Sequence, residues 1–264
     1  MNAAPVPMKD RRQRLATMAE LVLEAGTLSV DDMAQQFGVS TMTVYRDLAE
    51  LERSGIVTRT RGTVTARATS MSEASAAFRS TLNQATKRQL AARAVEEVHA
   101  GSTIMIDDST TLLGMVPLLD DRGPVTIVTH SQAVAREAAA LRSVRLFVTG
   151  GRYRPELDSL YGSTTLTTLR SVRADVCFMS TTALVGGELF HPLEENADVK
   201  QAMLASSTRA ILVADGSKFR HAATHRVASV AEFDLVVVDT DAPADELAIM
   251  AEAGVEIAQV GGDG

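Results

Sequence analysis

The sequence has one cysteine, no tryptophan and no long apolar segment. Cys177 stands in the apolar run Val176–Met179, which excludes an internal disulfide and indicates a buried core residue. No apolar run reaches the ~18 residues that a membrane span requires. Residues 1–8 are mixed and are followed by charged residues, so they do not have the pattern of a secretory signal. We therefore expect a cytoplasmic protein.

Common catalytic and metal-binding motifs are also missing. The sequence has no Gly-x-Ser-x-Gly elbow, no Walker loop, no zinc-ligand spacing and no Gly-x-Gly-x-x-Gly after a predicted strand. We predict no catalytic residue, no metal ion and no cofactor.

The distribution of charge divides the chain into two parts. The 264 residues have room for two domains and carry a net charge of −7. Residues 1–62 hold 8 basic and 8 acidic groups, so the whole excess of −7 lies in residues 63–264. We predict a head at residues 1–66, a linker at residues 67–81 and an α/β body at residues 82–260.

The head has the pattern of three short helices. Gly26 follows the first, Ser29 has the capping pattern of a second, and Gly38-Val39 forms a turn before a third that begins after Ser40. Apolar residues at helical spacing line the buried side of each helix. They are Leu15, Met18, Ala19, Val22, Ala25, then Val30, Met33, Ala34, Phe37, then Val44, Leu48 and Leu51. This order predicts a helix-turn-helix.

The third helix has the composition of a DNA-reading helix. With its apolar residues inward, a rotation of about 100° per residue places Met42, Arg46, Ala49 and Arg53 outward. Arg46 has the geometry for a forked contact to guanine, and hydroxyls at the helix start suit phosphate. The residues that we predict to contact DNA here are Ser40, Thr41, Met42, Thr43, Tyr45 and Arg46.

A hairpin follows the third helix. Residues 56–65 are rich in β-branched side chains, and Arg61-Gly62 suits a turn. The segment predicts a two-stranded wing that brings Arg59 and Arg61 to the DNA backbone. A three-helix module that binds protein has a similar pattern. The agreement of helix order, turn, outward face and basic wing favours DNA binding.

The body alternates apolar strands with helices. This alternation predicts a doubly wound, mainly parallel sheet with helices on both faces, entered through a helix from Phe78 to Val98. The predicted strands are 103–107, 125–129, 144–149, 175–180, 210–214 and 235–239, and helices at 131–141, 163–172 and 198–206 lie between them.

Polar residues gather where the predicted strands end. Residues 107–111 follow the first predicted strand, and we expect them to open a helix. Hydroxyls and amides at helix starts bind anions, and glycines allow the backbone to approach a ligand. Each serine or threonine alone is more simply a helix cap. Together they suit a phosphorylated sugar or polyol. The predicted effector-binding residues are Asp107, Ser109, Thr110, Thr111, Thr129, His130, Gly150, Gly151, Gly162, Lys200, Asp215 and Lys218.

The chain resembles DeoR-family repressors over about residues 10 to 258. The run Leu28–Leu48, then Leu51 and Gly55, is similar to the DNA-binding head of that family. The loops at 107–111 and 128–131, the glycines 150, 151 and 162, Lys200 and the run 215–219 are similar to its sensor domain. The resemblance implies a winged helix-turn-helix joined to a sugar-phosphate-isomerase-like domain that binds phosphorylated sugars and relieves repression.

Four positions depart from that family pattern. Tyr45 precedes Arg46 where the family usually has a second arginine, and Thr63 follows Gly62 where it has a second glycine. Ser109 replaces a glycine, and His130 replaces an asparagine.

Two other functions remain open from the sequence. A sugar-phosphate isomerase needs a carboxylate base. Candidates are Asp107, Asp108, Glu194, Glu195 and Asp215.

The other alternative is that the body serves only to hold copies of the chain together in an oligomer. Because reading an operator normally takes two heads, we expect a homo-oligomer, a dimer or a tetramer, whose partners are double-stranded DNA and the effector.

Overall fold

The computed structural model describes residues 11–53, 55–66 and 75–261 and divides the chain into two compact units, residues 1–82 and 83–264. Residues 67–74 of the predicted linker lie outside the described residues, as do residues 1–8 and the side chain of Ala25. None of the described helices is long and apolar enough to cross a membrane.

The first unit contains the predicted helices and one strand that the sequence does not predict. Ser29 Oγ accepts the N–H groups of Asp31 and Asp32, and Gly38, at φ +63°, ends the second helix. The three strands form one antiparallel sheet in the order β1-β3-β2. Its elements are α1 Arg11–Ala25, β1 Thr27–Ser29, α2 Val30–Phe37, α3 Thr41–Arg53, β2 Val57–Thr60, β3 Thr63–Ala66 and α4 Ala76–Arg79.

The entry into the body differs from the prediction. The continuous helix from Phe78 to Val98 is wrong: α4 ends at Arg79, and α5 begins at Gln84. Phe78 is buried in the apolar core of the first unit, so residues 76–79 of the predicted linker are folded. Asn83 precedes α5 at φ +48°, a left-handed conformation that no residue inside an α-helix adopts.

The second unit is a parallel sheet covered by helices, as predicted, but it has seven strands where the sequence predicts six. The strand order is β15-β14-β12-β9-β4-β5-β6, and every pair is parallel. These strands are β4 Thr103–Ile106, β5 Val125–Thr129, β6 Val144–Val148, β9 Ala174–Met179, β12 Ser207–Ala214, β14 Leu235–Asp239 and β15 Glu256–Val260. The helices are α5 Gln84–Ala94, α6 Gln132–Ala138, α7 Ser163–Arg170, α8 Glu194–Ala205 and α9 Ala244–Glu252.

Two small antiparallel sheets that the sequence does not predict accompany the large one. The first is a hairpin of β7 Arg152–Arg154 and β8 Ser159–Tyr161. The second has the order β10-β11-β13, with β10 Ala183–Val185, β11 Glu188–His191 and β13 His225–Ser229.

Each face of the large sheet has its own apolar core. Ile104 and Ile106 of β4 point into one core and Met105 into the other, because successive side chains of a strand alternate. Cys177 lies in the same core as Met105, and burial raises the pKa of its thiol to about 12. The prediction that it is a buried core residue is confirmed.

Candidate functional site

Helix α3 presents an exposed face near its start. Met42 is 71% exposed and Tyr45 39% exposed, and Thr41 and Arg46 are also exposed. Thr43 is half-buried and takes part in the helix cap, since Ser40 Oγ accepts its N–H at 3.2 Å and lies 3.0 Å from its Oγ1. Ala49, which we predict to point outward, is only half-exposed.

The wing places its two arginines in different environments. Arg61 and Gly62 form the exposed turn at φ +43° and +80°, and the Gly62 carbonyl accepts the Val30 N–H at 2.9 Å. Arg59 is half-buried, forms an ion pair with Glu52 at 2.6 Å and donates to the Tyr45 carbonyl at 3.2 Å. Arg59 therefore fastens the wing to α3, and Arg61 is the wing arginine at the surface.

A buried ion-pair network connects α1 and α3. Asp47 is fully buried and binds Arg14 at 2.8 Å and Arg11 at 3.1 Å. The hydrogen bond that Arg11 donates to Asp47 is the main reason why the pKa of Arg11 is raised. The sequence carried a signal for this role, because position 47 lies between the buried positions 44 and 51 on the helix.

The large sheet reverses its winding direction between β4 and β9. The chain runs outward from β4 through β5 to β6, and then from β9 through β12 and β14 to β15. In such sheets a crevice opens at this switch point, outside the carboxyl ends of the two strands. The residues that follow β4 and β9 therefore occupy the position where parallel α/β sheets bind ligands.

A buried ion pair lies at that switch point. Lys200 of α8 binds the Asp107 carboxylate and donates to the Ser180 carbonyl at 2.9 Å. Asp107 also accepts the N–H groups of Ser109 at 2.8 Å and Ser180 at 2.9 Å. These contacts bring the predicted residues Asp107, Ser109 and Lys200 together.

A second buried cluster lies next to the first. Asp108 accepts the Tyr161 hydroxyl at 2.6 Å and the Asn196 amide at 3.2 Å, and Asn196 also donates to the Tyr161 hydroxyl at 2.9 Å. His130 packs edge-on against the Tyr161 ring, with Nε2 at 3.6 Å from Asp108 Oδ1. Predicted His130 thus adjoins three residues that we did not predict as effector-binding.

The third cluster is cationic and surrounds the loop after β12. Burial raises the pKa of Asp215, but Lys218, the Ser217 hydrogen bonds and Lys87 outweigh it, so that the pKa is lowered. Lys87 of α5 donates to Thr110 Oγ1 at 3.0 Å. With Lys200, three of the four lysines of the chain lie at these strand ends. The backbone N–H of Lys218 donates to the Asp215 carbonyl at 3.0 Å, but its side-chain ammonium makes no hydrogen bond or ion pair within 4 Å in the described part of the chain.

The remaining predicted residues shape the loops. Thr129 donates to the Ile106 carbonyl at 2.8 Å and accepts the Ser131 N–H, which holds β5 against β4. Gly151 has no room for a side chain, because a Cβ would lie 2.2 Å from Thr165 Oγ1. Gly150 accepts from that hydroxyl at 2.7 Å, and Gly162, at φ +101°, precedes α7.

The loop after β4 differs from the prediction in one respect. Residues 107–111, which include buried Thr111, lead into a 3-10 segment, Leu113–Arg122, and not into an α-helix. Pro117 lies inside that segment and lacks the N–H that an α-helix would use.

Several buried polar atoms at these strand ends have no hydrogen-bond partner among the described residues. Proteins rarely bury a polar atom without a partner, so such a group indicates a place for water or a ligand. Five neighbouring strands, β6, β5, β4, β9 and β12, each contribute at their carboxyl end. The atoms at the strand ends are Ser109 Oγ, both ring nitrogens of His130, Thr149 Oγ1, Ser180 Oγ and Asp215 Oδ2. Helix α8 adds Asn196 Oδ1, whose amide group also donates to Asp108 after β4.

Comparison with known proteins identifies both units. Residues 14–70 match the DeoR-like helix-turn-helix domain, and residues 82–240 match the DeoR C terminal sensor domain. The chain belongs to the DeoR family of transcriptional regulators. The family relation confirms the helix-turn-helix, the α/β fold, DNA binding and a regulatory rather than enzymatic role, which removes the isomerase alternative.

Two relatives of this DeoR-family chain span almost its whole length. A protein of Escherichia coli O157:H7 named for transcriptional repression of the aga operon is 32% identical and covers 94% of each chain. The glycerol-3-phosphate regulon repressor of Escherichia coli K12 is 25% identical and covers 93% of this chain and 97% of its own. A solved ribose 5-phosphate isomerase from Methanocaldococcus jannaschii is similar over 52% of this chain and 55% of that chain, with 15% identity and a TM-score of 0.40.

Some of the site residues that we did not predict could have been found from the sequence. Asn196 lies four residues before Lys200 and therefore on the same face of α8. The scarcity of lysine marks Lys87 as well as Lys218. Tyr161 ends a short strand that no pattern predicts, so its position depends on the tertiary fold alone.

Proposed function

We propose that the body binds a phosphorylated sugar or polyol at the carboxyl ends of β4, β5, β6, β9 and β12. The observation that carries this proposal is the group of buried, unpartnered polar atoms at those five strand ends. Hydroxyls, an imidazole, an amide and a carboxylate match the alternating donors and acceptors of a polyol chain. A ligand that satisfied them would recover several hydrogen bonds at once.

The phosphate group belongs at the lysine-rich end of this site. The Lys218 ammonium has no hydrogen-bond partner in the described part of the chain, and Lys218 and Lys87 both lower the pKa of Asp215 through their charge. Lys87 also donates to Thr110. The hydroxyl-bearing part of the ligand then extends toward Asp108, His130 and Asn196. The name of the glycerol-3-phosphate regulon repressor, a relative, supports a phosphorylated polyol.

In this proposal the protein is a repressor of a sugar or polyol operon. Two heads of a homo-oligomer occupy two half-sites of the operator, and effector binding in the body weakens that complex. Thr41, Met42, Tyr45 and Arg46 contact base edges and phosphates, and Arg61 contacts the backbone of the neighbouring groove. Repression as the sign of regulation follows the names of both relatives.

Thermal unfolding of the full chain tests the effector proposal. Phosphorylated sugars and polyols are each compared with the non-phosphorylated parent compound. A ligand at 100 times its Kd stabilises the protein by about 2.7 kcal/mol, which is a shift of several degrees. We expect a shift that depends on the phosphate and that is lost in Lys218→Met.

Two further variants make this test specific. Arg142→Met removes an exposed cation that precedes β6, at the amino ends of the parallel strands and so opposite to the site, and its response to ligand should equal that of the wild type. Asn196→Ala should weaken both the phosphorylated ligand and any binding of the parent compound. A panel in which no phosphorylated compound shifts the unfolding temperature contradicts the proposal.

A further inference from the structure

The two edges of the seven-stranded sheet differ in polarity. The edge strand β15 carries the exposed polar residues Glu256 and Gln259. The opposite edge strand, β6, reads Val-Arg-Leu-Phe-Val, with Phe147 45% exposed and Val148 37% exposed. Charged side chains normally protect a sheet edge from pairing with another strand. The edge at β6 has one charged residue, Arg145, among four apolar ones.

The backbone of β6 offers hydrogen-bonding groups on its outer side. The Ser143 carbonyl accepts from Val125, and the Thr149 N–H donates to Thr129, so these two residues face β5. Backbone groups alternate in direction along a strand, so Val144, Leu146 and Val148 direct their N–H and C=O groups away from β5. Among the described residues no strand pairs with this side.

We propose that β6 is an interface at which two copies of this chain pair antiparallel about a two-fold axis through Leu146. This register pairs Leu146 with its own copy and Val144 with Val148 of the second copy. All three outward-facing residues then form hydrogen-bonded pairs, with roughly six backbone bonds across the axis. The two sheets become one continuous sheet of fourteen strands, which removes both exposed edges at β6.

The order of side chains along β6, which is complementary to its own copy, identifies the second copy as the occupant. Val144 and Leu146 pack toward the core on one face of the sheet, which leaves Arg145 and Phe147 exposed on the other face. In the two-fold register Arg145 of each copy lies opposite Phe147 of the other copy, so that this pair occurs twice. Each guanidinium therefore meets an aromatic ring, and the two arginines do not oppose each other.

The inference deepens the proposed homo-oligomer, and sedimentation equilibrium of the full chain tests it by charge exchange. Phe147→Lys places two lysines opposite two arginines, and we expect the dissociation constant of the assembly to rise about tenfold or more. Adding Arg145→Glu to that variant replaces both repulsions by ion pairs and should restore the assembly. All these side chains are exposed in the single chain, so folding is little affected.

Gln259→Lys on β15 is the matched control, since it adds the same charge to the other edge and should leave the assembly unchanged. A Phe147→Lys protein that dissociates no more than this control overturns the β6 interface and leaves the homo-oligomer standing. A wild-type chain that is monomeric at tens of micromolar overturns both. Failure of Arg145→Glu to rescue Phe147→Lys overturns the register.

Discussion

At the scale of single residues, Asp47 has the most demanding environment in the first unit. Its carboxylate is fully buried and is held by Arg14, which is itself buried, and by Arg11. A buried charge without its partner is much more costly than the pair is worth. The network therefore fixes the orientation of α3 on α1 more than it adds net stability.

Asp47→Ala should lower the free energy of unfolding of the first unit by about 3–5 kcal/mol, because the buried Arg14 guanidinium loses the carboxylate that balances its charge. Urea titration followed by circular dichroism measures this loss. Glu50→Ala, which removes only the exposed partner of Arg11, should cost less than about 1 kcal/mol. Equal losses for the two variants would contradict the account, because the buried Arg14–Asp47 pair would then matter no more than the exposed Arg11–Glu50 pair.

Arg46 and Arg61 are both exposed, but they should contribute to DNA binding in different ways. Arg46→Ala should cost about 1–3 kcal/mol at one base pair of the operator and little on duplexes altered there. Arg61→Ala should weaken all duplexes alike and reduce the salt slope by about 1. Anisotropy titrations on duplexes selected from a random pool measure both effects. A uniform loss for Arg46→Ala would place Arg46 on phosphate.

At the scale of elements, the strands that the sequence predicts best are those buried on both faces. Strands β5 and β14 begin and end where predicted. A strand that is buried on both faces is a nearly continuous apolar run, and the polar residues that flank it mark its ends. Strand β15 was missed because an edge strand has the mixed composition of Glu256–Val260. Strand β1 was missed because a strand of three residues is too short to show an alternation of apolar and polar side chains.

The sequence predicts the candidate site only in part, as it does the strands. Parallel strands place all their carboxyl ends at one edge, so the gathering of the predicted loops followed from fold class alone. The fold class does not predict the order of the strands. That order makes β4 and β9 neighbours and brings Asp107 to Ser180. Lys87 and Tyr161 come from elements outside that pattern, so no strand-end argument could include them.

The break between α4 and α5 shows why the sequence favoured one helix. Phe78, Leu82 and Leu90 keep a helical spacing through the break, although Phe78 packs in the first unit and Leu90 in the second. The residue that separates them is Asn83, whose left-handed backbone suits asparagine and glycine. Periodicity alone cannot detect such a position.

Asn83→Ala should therefore lower the free energy of unfolding by about 1–2 kcal/mol, since a Cβ-bearing residue without a polar side chain pays the left-handed penalty. Asn83→Gly keeps the backbone relaxed and should lose less, namely the 3.4 Å contact from Asn83 to Asp215. Chemical denaturation compares the two. An alanine variant as stable as the glycine variant would mean that the chain can continue as one helix here.

At the scale of the whole molecule, the central claim is a linkage between a DNA-reading unit and a sensing unit. If effector binding changes the affinity for DNA by some factor, DNA must change the affinity for effector by the same factor. Couplings of this kind are typically worth about 1–3 kcal/mol, or roughly 5- to 150-fold. A body that only held two heads together would show no such factor.

The measurement that tests this claim most directly is fluorescence anisotropy of a selected operator duplex titrated with the full chain, with and without each phosphorylated sugar or polyol. We predict that one phosphorylated compound raises the Kd for DNA at least fivefold, that its parent compound does not, and that Lys218→Met loses this response while binding DNA normally in its absence. A Kd for DNA that no phosphorylated compound changes, or a response that Lys218→Met retains, would contradict the account.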